Sequence, residues 1–198
     1  MIVLRKRSTG SPVQGEADQF NQMVVSAQGA NLQEAVLDGR VFSAANATKV
    51  AQTAGITAAW TGLGIANPAG SGKNLIIHEF GYALMIASDV AGLIGLMTAP
   101  VGDMADNLTK YNALDGEATT SSIAYADDGA TLGTPVLKRI LSSAGTEAMD
   151  TNLFPAAPQI YYPEGSLIIP PGRAVATYFT LASTACFVFH FVWEEIDE

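Results

Sequence analysis

A series of short apolar segments, rich in β-branched and aromatic residues, runs through residues 37–198 and constrains the fold more than any other feature. Turn-forming clusters separate the segments, and the clearest are Asn67-Pro68, Asp127-Asp128-Gly129, Pro163-Glu164-Gly165 and Pro170-Pro171-Gly172. Such residues adopt the backbone angles that tight turns need. Many short strands joined by turns at regular spacing predict an all-β fold, either a two-sheet sandwich or a barrel.

Two apolar stretches, residues 80–100 and 174–193, are long enough to span a bilayer as helices. The first contains three glycines and has Asp89 near its middle, a pattern typical of two strands and a turn. We therefore predict a hairpin there. The second is dominated by β-branched and aromatic residues with a break at residues 181–183, so we predict two further strands and no membrane partner.

The last predicted strand divides its side chains between two faces, because side chains alternate along a β-strand. One face has Phe187, Phe189, Phe191 and Trp193, and the other has Cys186, Val188, His190 and Val192. Both faces are apolar, whereas a sheet in a lone sandwich usually exposes one face to water. We predict that both are buried, the second either under a loop of the same chain or in a subunit interface. His190 would then meet its own symmetry copies or bond to a neighbour in the core.

The composition points the same way. Apolar residues make up 48% of the chain and charged residues only 15%, below the roughly 25% of typical soluble domains. Either much of the surface is small and neutral, or much of it is buried against partners. The formal net charge of −9 argues against wrapping nucleic acid. The single cysteine, Cys186, excludes an intrachain disulfide and lies in an apolar run, where we predict a buried thiol.

The first 36 residues differ from the rest and are predicted to form an N-terminal arm, with residues 37–198 as the main domain. Three of the ten basic residues fall within the first seven positions, and no apolar signal-peptide segment follows them. Short helical segments follow in the arm, the clearer one opening at Asn31, with Glu34 as in a capping box and Gly39 as its end. The arm is either a loose terminus or a segment that orders on a neighbouring subunit.

A second helical pattern interrupts the strands at residues 102–116. Met104, Leu108 and Tyr111 fall at helical spacing, with Asp103 as a possible N-cap. We predict a short helix within a long loop there.

Catalytic and metal-binding patterns find little support. His78 and His190 lack metal-ligand spacing with other residues, and His78-Glu79 lacks the second histidine of the H-E-x-x-H motif. The loop NPAGSGKN at residues 67–74 resembles a P-loop, but its first Gly and its final hydroxyl are missing, so we predict a simple strand connection. Acidic residues cluster between 103 and 128 without EF-hand order, which favours solvated loop acids over calcium ligands. We predict no enzyme activity, no cofactor and no metal.

Two stretches, GRVFSAANATKVAQTAGITAAWTGLGIANPAGSGKNLIIHEFGYALMIA and GSLIIPPGRAVATYFTLASTACFVFHFVWEEID, resemble jelly-roll virion proteins of tailed bacteriophages. More narrowly, they are similar to the trimeric decoration, or cement, proteins of capsid surfaces. The resemblance covers residues 37–198 and rests on strand order, the NPxGSGKN-type loop and the closing PPGRAV…FVWEE segment. It implies a jelly roll, a homotrimer, and attachment to the major capsid protein on the outer surface of a virion assembled in the bacterial cytoplasm.

Within that family a decoration protein needs docking residues and an oligomer seam. For apolar docking of the arm we predict Met1, Ile2, Val3 and Leu4, and for electrostatic docking Arg5, Lys6 and Arg7. For the core or the trimer interface we predict Phe187, Phe189, His190, Phe191 and Trp193.

Two other functions are compatible with a jelly roll. One is the trimeric head of a tail or head fibre that binds a host receptor or glycan, in which Tyr125, Tyr161 or Tyr162 would stack on sugar. The other is a cupin-type enzyme, which needs a cluster of His and carboxylate ligands inside the barrel. Two scattered histidines argue against the enzyme.

Overall fold

The computed structural model describes residues 3–5, 12–14, 31–86, 88–116, 122–144 and 158–198, the first two ranges by their backbone alone. The described residues are almost entirely β, with one short helix. Strands β1 (Val3–Arg5) and β2 (Pro12–Gln14) form a small antiparallel pair, and helix α1 spans Asn31–Leu37.

The other strands form two antiparallel sheets. The larger sheet contains β3 (Val41–Ala45), β4 (Val50–Gln52), β6 (Lys73–Leu84), β8 (Lys110–Asn112), β11 (Gln159–Tyr161), β12 (Ile168–Ile169) and β14 (Ser183–Asp197). The smaller sheet contains β5 (Ala59–Asn67), β7 (Gly92–Pro100), β9 (Tyr125–Thr131), β10 (Val136–Ala144) and β13 (Arg173–Phe179). The orders are β11-β6-β14-β3-β8, with β12 beside β6 and β4 beside β14, and β10-β7-β13-β5-β9.

Eight of these strands follow the order of a jelly roll. In chain order they are β3, β5, β6, β7, β10, β11, β13 and β14. The first, eighth, third and sixth are neighbours in the larger sheet, and the second, seventh, fourth and fifth are neighbours in the smaller sheet. Two Greek keys packed face to face produce this arrangement. The prediction of an all-β jelly-roll sandwich is therefore confirmed, and β8 and β9 extend one edge of each sheet.

The hairpin predicted for residues 80–100 is wrong, although its two strands are present. β6 belongs to the larger sheet and β7 to the smaller one, so the chain crosses between sheets after Leu84. β13 and β14 are separated in the same way. An apolar strand buried in a sandwich has the same composition whichever neighbour it pairs with, so the residues could not reveal the crossover.

The helix predicted at Asn31 is confirmed, and it ends where glycine permits. Gly39 has a φ of 70°, in the left-handed region that favours glycine. Its N–H donates to Val36 O at 2.9 Å, and the N–H of Arg40 donates to Ala35 O at 3.0 Å. These two bonds form a Schellman motif, which directs the chain from α1 into β3.

The helix predicted within residues 102–116 is wrong, because residues 101–109 are irregular and β8 follows them. Asp103 Oδ1 accepts from the N–H of Thr131 at 2.5 Å, and Asp106 Oδ1 accepts from the N–H of Ala126 at 3.1 Å. The carboxylates thus bind the backbone of β9 and not their own turn. The turn predicted at residues 127–129 is also wrong, since these residues lie inside β9.

The loop at residues 67–74 is a strand connection, as predicted. Gly70 and Gly72 have φ values of 76° and 70°, and the fully buried Asn67 organises the turn. Asn67 Nδ2 donates to Lys73 O at 2.7 Å and to Ile169 O at 2.9 Å. The loop therefore links β5 of one sheet to β6 and β12 of the other.

The main core lies between the two sheets. Its largest fully buried side chains are Trp193, Phe42, Phe80, Phe179, Phe187 and Phe191. Their rings pack in contact, with centroids 4.9 Å apart for Phe80 and Phe191 and 5.2 Å for Phe179 and Phe187. Aromatic side chains bury the most apolar area per residue, so these rings dominate the stability of the sandwich.

A second core covers part of the outer side of the smaller sheet. Trp60, Met97, Met104 and Leu132 are buried there with small alanines of β5, β7 and β13. Trp60 Nε1 donates to Thr177 O at 2.8 Å, and a Cβ placed on Gly64 would meet both Trp60 and Met104 at 2.9 Å. The loop that contains Met104 therefore closes over this sheet. Because Gly64 has no Cβ, the side chains of Trp60 and Met104 can pack directly against the strand.

Candidate interaction surface

From Phe187 onward, strand β14 separates its side chains between the inside and the outside of the sandwich. Cys186, predicted on the same face as His190, is instead fully buried in the main core, because the strand is irregular before Phe187. Phe187, Phe189, Phe191 and Trp193 are at most 3% exposed and lie in the main core. Val188, His190 and Val192 alternate with them and are half-buried on the opposite face. The four aromatic residues predicted for the core or the trimer interface are thus placed in the core, and His190 lies on the outside.

We define the outer face as the solvent side of the larger sheet around β14. Cross-strand partners in an antiparallel sheet share a face, so the pairings of β14 identify its members. They are Val188, His190, Val192, Glu194, Ile76, His78, Glu79, Gly81, Ser43, Tyr111, Ile160 and Ile168. Six strands of the larger sheet therefore contribute to one continuous surface.

His190 forms one of two histidine–glutamate pairs on the outer face. Its Nε2 lies 2.6 Å from Glu79 Oε1, and its ring lies over Gly81 on the neighbouring strand. A Cβ on Gly81 would sit 1.9 Å from His190 Cε1, so only glycine accommodates the ring there. Of the two alternatives stated for His190, the single chain shows the bond to a neighbour.

His78 forms the second pair. The register of β6 against β14 shifts between Val192 and Trp193, and this bulge lets His78 and Glu79 both point outward. His78 Nε2 lies 3.1 Å from Glu194 Oε2, while Glu194 Oε1 accepts from Arg40. Burial of the imidazole lowers the pKa of His78 from its ordinary value of 6.5. The carboxylate beside it is already paired with a guanidinium.

Apolar side chains surround these pairs. Ile160 and Ile168 are 49% and 50% exposed, and Tyr111 is 58% exposed. Val188 and Val192 lie between them, half-buried. The outer face therefore combines exposed apolar surface with charges that are already paired within the chain.

A groove of about 540 Å³ opens at one border of the outer face. Tyr111, His190, Ser43, Asn107 and Thr109 line it. The tyrosines predicted to stack on sugar are elsewhere: Tyr125 lies on β9, at the edge of the smaller sheet, while Tyr161 ends β11 and Tyr162 follows it, at the edge of the larger one. The sequence reasoning missed Tyr111 as a surface residue because it was assigned to a helix.

A second missed residue is Glu195, near the C-terminal end of β14, whose side chain is fully buried. Its Oε1 accepts from Ser122 Oγ at 2.7 Å and from the N–H of Ile123 at 3.0 Å, and Lys73 Nζ lies 3.7 Å from Oε2. Glu195 lies two residues after Trp193, so the alternation of side chains along the strand places it on the same inward face. This alternation could have identified Glu195 from the sequence.

The arm residues predicted for capsid docking are described only in part. Val3, Leu4 and Arg5 form β1, which pairs with β2, while Met1, Ile2, Lys6 and Arg7 lie outside the described residues. The helical segment predicted after residue 15 also lies outside them.

Among the described residues, no three His, Cys, Asp or Glu side chains are grouped closely enough to hold a metal ion. No helix in the same part of the chain has the length and apolar character needed to cross a membrane. Comparison with known proteins returned no match to a protein-family model, to a curated protein or to a solved structure.

Proposed function

We propose that the protein is a structural virion protein, which binds the outer surface of a tailed-bacteriophage capsid as a homotrimer and clamps neighbouring major capsid subunits. The observation that supports this most is the outer face of the larger sheet. It leaves Ile160, Ile168 and Tyr111 exposed, whereas a loop of the chain covers the part of the smaller sheet around Trp60.

The charges on the outer face are suited to contact with another copy. Glu79 is paired with His190, and Glu194 is paired with His78. Glu194 also lies against the Arg40 guanidinium. Because these carboxylates already have hydrogen-bond partners, a second copy can cover the surface without leaving a carboxylate that has no partner, which is the costly event in a buried interface.

Three linked arms would then bind the shell together. Met1 to Leu4 provide an apolar end and Arg5, Lys6 and Arg7 a basic segment, while the whole chain is acidic. Once one arm of a trimer is bound, the other two are held at high effective concentration near their sites. Weak single contacts therefore sum to a firm attachment, and contacts that span capsid subunits must break before those subunits separate.

Deletion of residues 1–15 tests the arm. We expect the shortened protein to keep its fold and its oligomeric state but to lose binding to purified capsids lacking the protein, measured by co-sedimentation. A triple variant with Arg5, Lys6 and Arg7 changed to Gln keeps the apolar end, and should bind with greater salt tolerance but lower affinity. Full occupancy of capsids by the shortened protein would overturn the assignment of the arm.

The groove beside Tyr111 supports a second candidate, a fibre head that binds glycan. An exposed aromatic ring with amide and hydroxyl groups around it suits a sugar, which stacks on the ring and bonds to the polar groups. If the outer face is a subunit interface, Tyr111 is covered, so the two functions make opposite demands on this residue. Loss of saturation-transfer NMR signals from bound oligosaccharides in Tyr111→Ala, but not in Tyr162→Ala, would favour the fibre head.

Copy number separates the two candidates directly. A decoration protein occupies many equivalent positions on the shell, whereas a fibre head is present in few copies. Quantitative mass spectrometry of purified virions, scaled to the major capsid protein, should give a ratio near that of capsid positions. A ratio typical of tail components would contradict the decoration function.

A further inference from the structure

A small cleft lies between the edges of the two sheets and borders the outer face at Ile168. Its volume is about 290 Å³, and residues of β10, β12 and the start of β13 line it. Three cations, Lys138, Arg139 and Arg173, border the cleft. A chain with 10 basic and 19 acidic residues therefore places three of its cations around one opening.

Among the described residues, these cations have no acidic partner, since none of the three forms an ion pair with an acidic side chain. Arg139 is exposed on the edge strand β10, where it is the cross-strand partner of Leu96 and so shares the core-facing side of that strand. Arg173 shares the inward face with Val175, and the two guanidinium groups therefore border the same opening.

A buried hydroxyl lines the same cleft. Thr98 is 5% exposed, and its Oγ1 has no hydrogen-bond partner among the described residues. A buried hydroxyl without a partner is unfavourable, so such a group calls for a partner outside the chain, such as water, an ion or a ligand. Thr98 thus offers a donor at the wall of a cleft whose rim is cationic.

From these groups we propose that the cleft binds the carboxylate side chain of an acidic peptide segment in a protein partner. Planar guanidinium groups match carboxylates in bidentate geometry, and Lys138 adds a third positive charge. The remaining wall, residues 167–170, is Leu-Ile-Ile-Pro, which suits the methylene stem of a glutamate. A bare phosphate has no apolar part to place against that wall.

The position of the cleft agrees with a peptide ligand. β10 is the edge strand of its sheet and runs alongside the opening. Lysine and arginine on an edge strand also discourage aggregation between sheets, but that role requires neither the cleft nor the buried hydroxyl. The cations and Thr98 are not members of the outer face, and Ile168 is shared by the cleft and that face.

The test measures fluorescence anisotropy of a labelled octapeptide that alternates Glu and Ala, titrated with the full chain. We expect saturable binding of this peptide and none of its Gln–Ala counterpart. The double variant Arg139→Gln/Arg173→Gln should raise the dissociation constant by about tenfold or more, as expected when charge-assisted hydrogen bonds are lost. Lys49→Gln, which removes an exposed lysine remote from the cleft, should change it less than about twofold.

Two further measurements distinguish this site from a general basic patch. Thr98→Val removes the hydroxyl at nearly constant shape, and should weaken peptide binding severalfold while stability stays equal or rises. Inorganic phosphate at matched ionic strength should compete poorly. Unchanged binding by the double variant would overturn the proposal, and so would competition by phosphate stronger than by the acidic peptide itself.

Discussion

The two sheets of this sandwich treat their outer surfaces differently. On the smaller sheet, Trp60 and Met104 close over small residues and leave a second buried core. On the larger sheet, Val188 and Val192 remain half-buried and Ile160 is 49% exposed. The chain covers the smaller sheet around Trp60 and Met104 by itself, although Leu93 and Ile140 on that side stay 43% and 47% exposed. It leaves the larger sheet with an apolar surface whose carboxylates have partners within the chain.

This difference separates residues that stabilise the single chain from residues that are available for contact with partners. Substitutions in the covered face should change the free energy of unfolding of the single chain, because burial there is finished. Substitutions on the outer face should change contact with partners and leave the fold nearly as stable. The following predictions compare residues from the two environments.

Trp60→Ala should have the largest effect on stability. Removing a buried tryptophan destabilises by about 3–5 kcal/mol, and here the hydrogen bond to Thr177 O is lost as well. Val192→Ala, in the half-buried outer face, should cost less than about 1 kcal/mol, since little of its burial is complete. Urea unfolding, followed by far-UV circular dichroism, measures the free energy of unfolding of both variants. Equal costs would remove the distinction between the two faces.

Glu194 and Glu195 provide a comparison of neighbours on one strand. Glu195→Gln should destabilise by about 1–3 kcal/mol, because the fully buried carboxylate accepts from Ser122 and from the backbone of Ile123. Glu194→Gln should cost less than about 1 kcal/mol, as partly exposed ion pairs contribute little. The same urea titrations measure the two variants. A larger loss for Glu194→Gln would mean that the outer pairs stabilise the single chain.

The sequence predicted the features that depend on residues close together in the chain, and missed those that depend on contacts between distant strands. The alternation of β14 from Phe187 onward and the turns at Pro163 and Pro170 are local, and both were recovered, whereas Cys186 was assigned to the wrong face. The cover of the smaller sheet was missed, because Asp103 and Asp106 bind the distant strand β9 and hold their loop out of a helix. A helical pattern in residues 102–116 thus lost to long-range hydrogen bonds that sequence spacing does not record.

The candidate sites show the same limit. His78 and His190 were judged isolated because each lies far along the chain from its glutamate, and only the pairing of β6 with β14 brings them together. The basic cleft was invisible for the same reason, since Arg139 and Arg173 come from separate strands. The predicted trimer and the capsid partner stay predictions, because they concern contacts between chains.

The smallest predicted effect concerns pH. Burial lowers the pKa of His78 below 6.5, so the unfolded chain takes up a proton before the folded chain does. The stability contributed by the neutral imidazole is therefore present above pH 6.5 and is lost as the pH falls through the lowered pKa. Thermal unfolding between pH 7 and pH 5 should show a shallower loss of Tm in His78→Gln than in the native protein. An unchanged slope would contradict the effect.

Sedimentation equilibrium of the full chain at micromolar concentration tests whether copies of the chain cover the outer face. We expect a species of three times the chain mass of 20.7 kDa. We also expect that Val192→Glu dissociates this species, while Ile56→Glu, which changes an exposed isoleucine in the loop before β5, does not. A native protein of single-chain mass at that concentration would contradict the claim that copies of the chain cover the outer face.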